Sequence, residues 1–113
     1  MKVIEIANKE YEVKFTINTL CRMESDGLQV MQIDKLMENI NFTLIRKLFF
    51  YGIKDSVGKS LTENRAGEMM DEYLEENDYN ELMTVLVGEL AKSLGYDIDE
   101  KQVEGEETED AGK

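Results

Sequence analysis

Apolar and polar side chains alternate over residues 11–15, so that Tyr11, Val13 and Phe15 share one side of an extended chain and Glu12 and Lys14 the other. Val3 to Ile6 reads as a partner strand, and Ala7-Asn8-Lys9-Glu10 as the turn of a predicted β-hairpin. After Thr16 the period lengthens. Ile17, Leu20, Cys21 and Glu24 recur at helical spacing, with Thr16 or Asn18 able to cap the first turn and Gly27 placed to end it. A lone hairpin is marginal in water, so its apolar face calls for the helices that follow.

The remaining pattern is helical. Val30, Ile33, Leu36, Met37 and Ile40 predict a short second helix within residues 30–39, with a boundary at Asn41. The strongest helical pattern covers Phe42 to Ile53, opened by Asn41 as its cap; a further helix runs from the cap Thr62 to about Glu76. Asp78 caps the last helix and Gly95 ends it as the residue after the C-cap, while Glu75-Glu76-Asn77-Asp78 closes one helix and opens the next. That last helix carries Tyr79, Leu82, Met83, Val85, Leu86, Val87, Leu90, Ala91 and Leu94. The stripe is too wide for one surface contact and predicts the central core helix or a subunit interface. The expected fold is α+β, mainly α, with an N-terminal hairpin packed on about five helices.

Length and composition fix the domain organisation. The 113 residues, 42% hydrophobic, suit one core. Residues 1–96 are expected to form a single domain. Residues 97–113 carry eight acidic side chains against Lys101 and Lys113, so six of the twelve net negative charges fall there. With few aliphatic side chains and no aromatic, this stretch is expected to be a disordered tail, serving either solubility or contact with a partner. No apolar run approaches the roughly 20 residues that span a bilayer, and the N-terminus has no apolar signal core, so a soluble cytosolic protein is expected. Cys21 is the sole cysteine and lies among apolar helix positions, where a buried inert thiol is expected.

The chain contains no histidine, which removes Ser-His-Asp and Cys-His catalysis, His-based metal sites and the commonest general base. Carboxylate chemistry would need a cleft separating two pKa values. Gly52-Ile-Lys-Asp-Ser-Val-Gly58-Lys59-Ser60 imitates a phosphate loop, but five residues separate its glycines where that loop has four, and a helical pattern precedes it where a strand is required. A helix-terminating loop is the expected reading. Asp97-Ile-Asp99-Glu-Lys101-Gln102 starts like a calcium loop, yet Lys101 stands where an oxygen ligand belongs and Gln102 where glycine is needed. No catalytic residue, cofactor or metal is expected.

Net charge selects the partner class. At −12 the chain should avoid nucleic acid and anionic membranes, which leaves protein binding. Along the strong helix, Thr43, Arg46, Lys47, Phe50 and Lys54 share one side, and Leu44, Ile45, Leu48, Phe49 and Ile53 take the other. An aromatic among cations suits an acidic partner, or the chain's own tail, as a binding hot spot; the competing expectation packs Phe50 beneath the Thr62 helix. Met69, Met70 and Tyr73 lie on a stripe with Ala66 and Leu74, and Met83 on the next helix. Adaptable methionines suit a groove receiving an amphipathic helix, as well as ordinary core packing.

The run Phe15-Thr-Ile-Asn-Thr-Leu-Cys-Arg-Met-Glu24 with Gly27, followed by Asn41-Phe-x-x-Ile-Arg-x-Leu-Phe-x-Tyr-Gly-Ile-Lys54, resembles the tail assembly chaperones of long-tailed bacteriophages. Leu61-Thr62-Glu63, Tyr73-Leu74 and a closing helix to Leu94 follow in the family's order, so the resemblance extends over residues 1–96. It implies a cytoplasmic, non-enzymatic chaperone in the host cell that coats the tape measure protein, delivers it for tail tube polymerisation and is absent from the finished virion. It also implies a longer frameshifted product able to recruit tail tube subunits, and apolar stripes that shield client helices, with a homo-oligomer as one arrangement. Two other classes compete. An acidic DNA mimic would use Asp71, Glu72, Glu75, Glu76 and Asp78 as a phosphate row, with a small protein-binding regulator of phage or prophage origin beside it as an alternative; a carboxylate hydrolase would need a deep pocket with two converging acids. If Phe50 is the hot spot, Phe50→Ala should fold normally by circular dichroism and lose partner affinity by roughly thirtyfold; full affinity would exclude that role.

Overall fold

A two-residue turn sets the register of the N-terminal hairpin. In the computed structural model, which describes residues 2–95, strands β1 (Lys2–Ile6) and β2 (Lys9–Val13) pair antiparallel with Ile6 opposite Lys9 and Ile4 opposite Tyr11. The expected disorder of residues 97–113 lies outside the described residues. Ala7 and Asn8 both have positive φ, 51° and 69°, the signature of a turn whose twist matches the strands it joins. The turn is therefore shorter than expected from sequence, and Lys9 and Glu10 belong to the strand. Ile4, Ile6, Val13 and Phe15 are buried on one face, whereas Val3 stands on the other, 52% exposed.

Helix α1 (Ile17–Ser25) begins at Thr16, whose hydroxyl oxygen accepts the Thr19 N–H at 3.1 Å. It ends in paired bonds from Gly27 N–H to the Glu24 carbonyl (2.9 Å) and Leu28 N–H to the Met23 carbonyl (3.0 Å), with Gly27 at φ 91°. The inward face differs from the expected one. Thr19, Leu20 and Met23 are buried, while Ile17 is 70% exposed and Cys21 is exposed rather than a core thiol. The hydroxyls of Thr16 and Thr19 lie 2.9 Å apart, so Thr19 is satisfied locally and can face the core; Ile17 and Cys21, one turn apart, then face out.

A single 3-10 turn, Val30–Gln32, leads into α2 (Ile33–Glu38), the expected short helix. Val30 is buried, but no residue of α2 is, and Ile33, Leu36 and Ile40 only rest half-buried against the core.

Helix α3 (Phe42–Val57) is the centre of the fold, touching β2, α1, α4 (Glu63–Leu74) and α5 (Tyr79–Ser93). The wide apolar stripe of the last helix had two readings, central core helix or subunit interface, and the central place belongs to α3. Asn41 caps α3, its side-chain oxygen accepting Leu44 N–H at 2.8 Å. Leu44, Ile45, Leu48, Phe49 and Ile53 are buried as expected. The helix runs a turn past Ile53, through Gly52, to a stop at Gly58 with φ 117°. Gly52 is thus helix interior and Gly58 a helix cap, which leaves no strand-loop-helix of the phosphate-binding kind in this stretch. The reason for glycine at 52 is steric. Lys14 N–H donates to the Gly52 carbonyl at 2.8 Å, and a Cβ there would sit 3.1 Å from Phe15 Cζ and 3.2 Å from Val13 Cγ1.

Thr62 caps α4 through Arg65 N–H (3.1 Å), and Asp78 caps α5 in a reciprocal box with Glu81 (2.8 and 3.1 Å). Helix α5 buries Leu82, Val85, Leu86, Leu90 and Ala91 and closes at Gly95, φ 93°. Among the described residues no helix is long and apolar enough to cross a membrane.

Two glycines inside helices should respond oppositely to alanine. Gly52→Ala gains about 1 kcal/mol of helix propensity but forces Phe15 and Val13 to move, so a net loss of about 1–2 kcal/mol is expected in urea unfolding. Gly88→Ala on α5 meets open space and should gain roughly 0.5–1 kcal/mol.

Candidate functional site

Helices α3 and α5 start side by side, and their first residues form an uncovered aromatic pair. Phe42 and Tyr79 meet edge to face with centroids 5.4 Å apart and an interplanar angle of 62°. Phe42 is 75% exposed, whereas Tyr79 is half-buried against the core. Below the pair lies an open groove of about 280 Å³ between α3 and α4, lined by Thr43, Arg46, Gly67, Met70, Asp71 and Leu74 as well as the two aromatics.

Arg46 forms one wall. Its aliphatic stem crosses α4 at Gly67, where a Cβ would lie 3.3 Å from Arg46 Cδ. Its Nη2 stands 3.9 Å from Glu63 Oε1, and its Nε–H is buried without an acceptor. A buried donor left unpaired costs on the order of 1–3 kcal/mol. Lys47 reaches the same Glu63 oxygen at 3.3 Å. Lys54 donates to the Leu61 carbonyl at 3.4 Å and lies 4.8 Å above the Phe50 ring, which also meets Tyr51 edge to face.

The cationic side expected from sequence is therefore present on α3, but it is turned toward α4 and its cations are engaged within the chain. Phe50 is half-buried and packed against the core, and of the cations around it only Arg46 lines the groove. Met69, Met70 and Tyr73 are buried at 2%, 8% and 6% exposure, which makes them core side chains; Met70 alone of the three reaches the groove, and Met83 is half-buried on α5.

Sequence reasoning missed Phe42 and Tyr79 as site residues. Phe42 shares the inward arc of α3 with Ile45 and Phe49, so periodicity gives no reason to expect it in water. It is left 75% exposed, with the Tyr79 ring packed against it. The available signal was position: an aromatic immediately after the cap Asn41 has little of its own helix around it.

The acidic corner between α4 and α5 stays at the surface. Asp71, Glu75, Glu76 and Asp78 are exposed; Glu72 pairs with Arg65 at 3.6 Å, and Asp78 is occupied as a helix cap. The groove under Phe42 contains one carboxylate, Asp71, and two depressions beside the 3-10 turn and α2 contain Glu38 and Glu24 singly, where an acid-pair mechanism needs two converging. Among the described residues no cluster of His, Cys, Asp and Glu is arranged to hold a metal ion.

Comparison of the chain with protein-family models, with curated proteins and with solved structures finds no match.

Burial raises the Tyr73 hydroxyl above its ordinary 10.0, and the carboxylates of Glu81 and Asp78 raise it further. The folded state then keeps this proton after the unfolded state has lost it, so the group's contribution to stability is intact below pH 10 and falls as pH rises above it. Tyr73→Phe should flatten the decline in urea midpoint above pH 10 relative to the parent chain.

Proposed function

We propose that this chain is a tail assembly chaperone of the long-tailed phage kind, acting by binding alone and without a cofactor. Its client is the tape measure protein, held soluble in the host cytoplasm and delivered for tail tube polymerisation. The observation that carries this reading is Phe42: a 75% exposed aromatic, braced by Tyr79, above a groove floored by Met70 and Leu74. Such an anchor beside a shallow apolar groove suits the apolar face of a client helix. Ile17 and Met31, 70% and 76% exposed, are further apolar side chains left in water. The order of elements, a hairpin and then helices opened at Thr16, Asn41, Thr62 and Asp78, agrees with the order of motifs on which the resemblance rests.

Charge completes the mechanism. Net −12 keeps the chaperone soluble while it carries a client that aggregates alone, and like charge between complexes slows their association. Recruitment of tail tube subunits is assigned to a longer frameshifted form, and assembly of several copies along one client fits a tape measure protein much longer than this chain. The chaperone leaves before the virion is complete.

The test is co-expression of the full chain, tagged, with the tape measure protein of the same phage, scoring soluble and co-purifying client at low and high salt. Soluble client that survives high salt supports binding through apolar contacts. Phe42→Ala should fold normally, because the side chain is exposed, and weaken client binding by roughly thirtyfold. An insoluble client overturns the proposal. Capture of a basic DNA-binding protein that is lost at high salt would instead favour the acidic mimic.

A further inference from the structure

We propose that the outer edge of β1 is a strand-addition site for an extended, basic segment of a partner protein. This surface is separate from the groove at Phe42 and does not rest on the chaperone reading.

In a two-stranded sheet each strand has one edge turned to its neighbour and one turned away. The two-residue turn at Ala7 and Asn8 makes Ile6 and Lys9 the first hydrogen-bonded pair, so Ile4 and Tyr11 form the next. Val3 and Glu5 on β1, and Glu10 and Glu12 on β2, therefore aim their backbone groups outward. The β2 side agrees: Glu12 N–H donates to Ser56 Oγ at 3.1 Å, and Lys14 N–H to the Gly52 carbonyl at 2.8 Å. Helix α3 thus closes the β2 edge. Among the described residues no hydrogen bond beyond the hairpin reaches Val3 or Glu5, and Val3 is 52% exposed.

Side chains decide what this edge accepts. Val3, Glu5, Glu10 and Glu12 share the solvent face, and Glu5 stands directly opposite Glu10, a like-charged pair that repels. An added strand would lay one side chain beside Glu5 and another, two residues away, beside Val3. Lys or Arg in the first position offsets the Glu5–Glu10 repulsion, and a β-branched side chain in the second packs on Val3. The fitting segment has a basic and an apolar residue two apart. Charge argues against two other occupants. A second copy paired antiparallel through β1 would set its own Glu5 against Val3 and place six glutamates, Glu5, Glu10 and Glu12 of each copy, on one face. The chain's residues 97–113, with eight acids and two lysines, carry the wrong sign.

The end-blocked peptide Thr-Lys-Val-Val-Val-Lys-Thr, whose palindromic pattern fits the edge paired antiparallel, is the probe. Titrated into the full chain at millimolar concentration, it should slow amide hydrogen exchange at Val3 and Glu5 by about tenfold or more, while the same peptide N-methylated at both lysines and the central valine should not. Glu5→Lys, an exposed substitution, should weaken binding by roughly tenfold, and a peptide with glutamates for lysines should bind that variant better than the parent chain. Unchanged exchange at Val3 and Glu5, or protection indifferent to N-methylation, overturns the proposal. So does protection of the same amides by self-association without peptide, which would give the edge to a second copy.

Discussion

Gly52 lets the chain at the end of strand β2 approach helix α3 closely enough for the Lys14 N–H to bond a helix carbonyl, and the rest of the core is built outward from that contact. Lys14 N–H meets the Gly52 carbonyl at 2.8 Å, and Val13 and Phe15 fill the space a Cβ would take. A helix-interior glycine is disfavoured by about 1 kcal/mol relative to alanine, so its presence signals a packing requirement. With β2 fixed on α3, the hairpin register places Ile4 and Ile6 over the core. Helices α4 and α5 then cover the remaining sides of α3. The same contact hides one edge of the hairpin and leaves the other open.

The α3–α4 seam shows how little of the cationic pattern is stability. Arg46 and Lys47 share Glu63, but these groups keep substantial solvent contact, and pairs of that kind contribute about 0–1 kcal/mol. The seam is held instead by Ala66, Met69, Met70 and Tyr73, all buried. The ion pairs fix where Arg46 lies, across Gly67, and so shape the groove beneath Phe42. Binding surface and packing therefore share residues: Met70 is core on one side and groove floor on the other.

Surface chemistry divides the molecule unevenly. Apolar side chains left in water gather at element starts and on weakly covered segments: Phe42 at the first turn of α3, Ile17 at the first turn of α1, Met31 in the 3-10 turn before α2. These are the places where a helix has least of its own structure around a side chain. Helix α2, with no fully buried residue, depends on a few half-buried contacts and is the least anchored of the helices in apolar terms.

Local chemistry was legible in the sequence because it acts over a few residues. Thr16, Asn41, Thr62 and Asp78 each accept the N–H three residues on, as capping requires, and Gly27, Gly58 and Gly95 take the positive φ that ends a helix. The class of fold and the buried face of α3 followed from periodicity, which depends only on the repeat of the backbone. Periodicity names an arc of a helix but not what covers it. Phe42 lies on the inward arc of α3 yet is 75% exposed at the helix's first residue; Cys21 fits an apolar spacing yet faces water because Thr19 satisfies its hydroxyl locally and takes the inner place. Gly52 falls inside the helical pattern with no local reason for a glycine, since its steric reason resides in residues 37 to 39 positions away. The amino-acid sequence alone determined the type and order of the elements, the caps that open the helices and the acidic balance of the chain, all set by neighbours in the chain. Only the tertiary structure decided which helix is central, which cations are engaged and which apolar side chains remain in water, because those depend on contacts between residues distant in sequence.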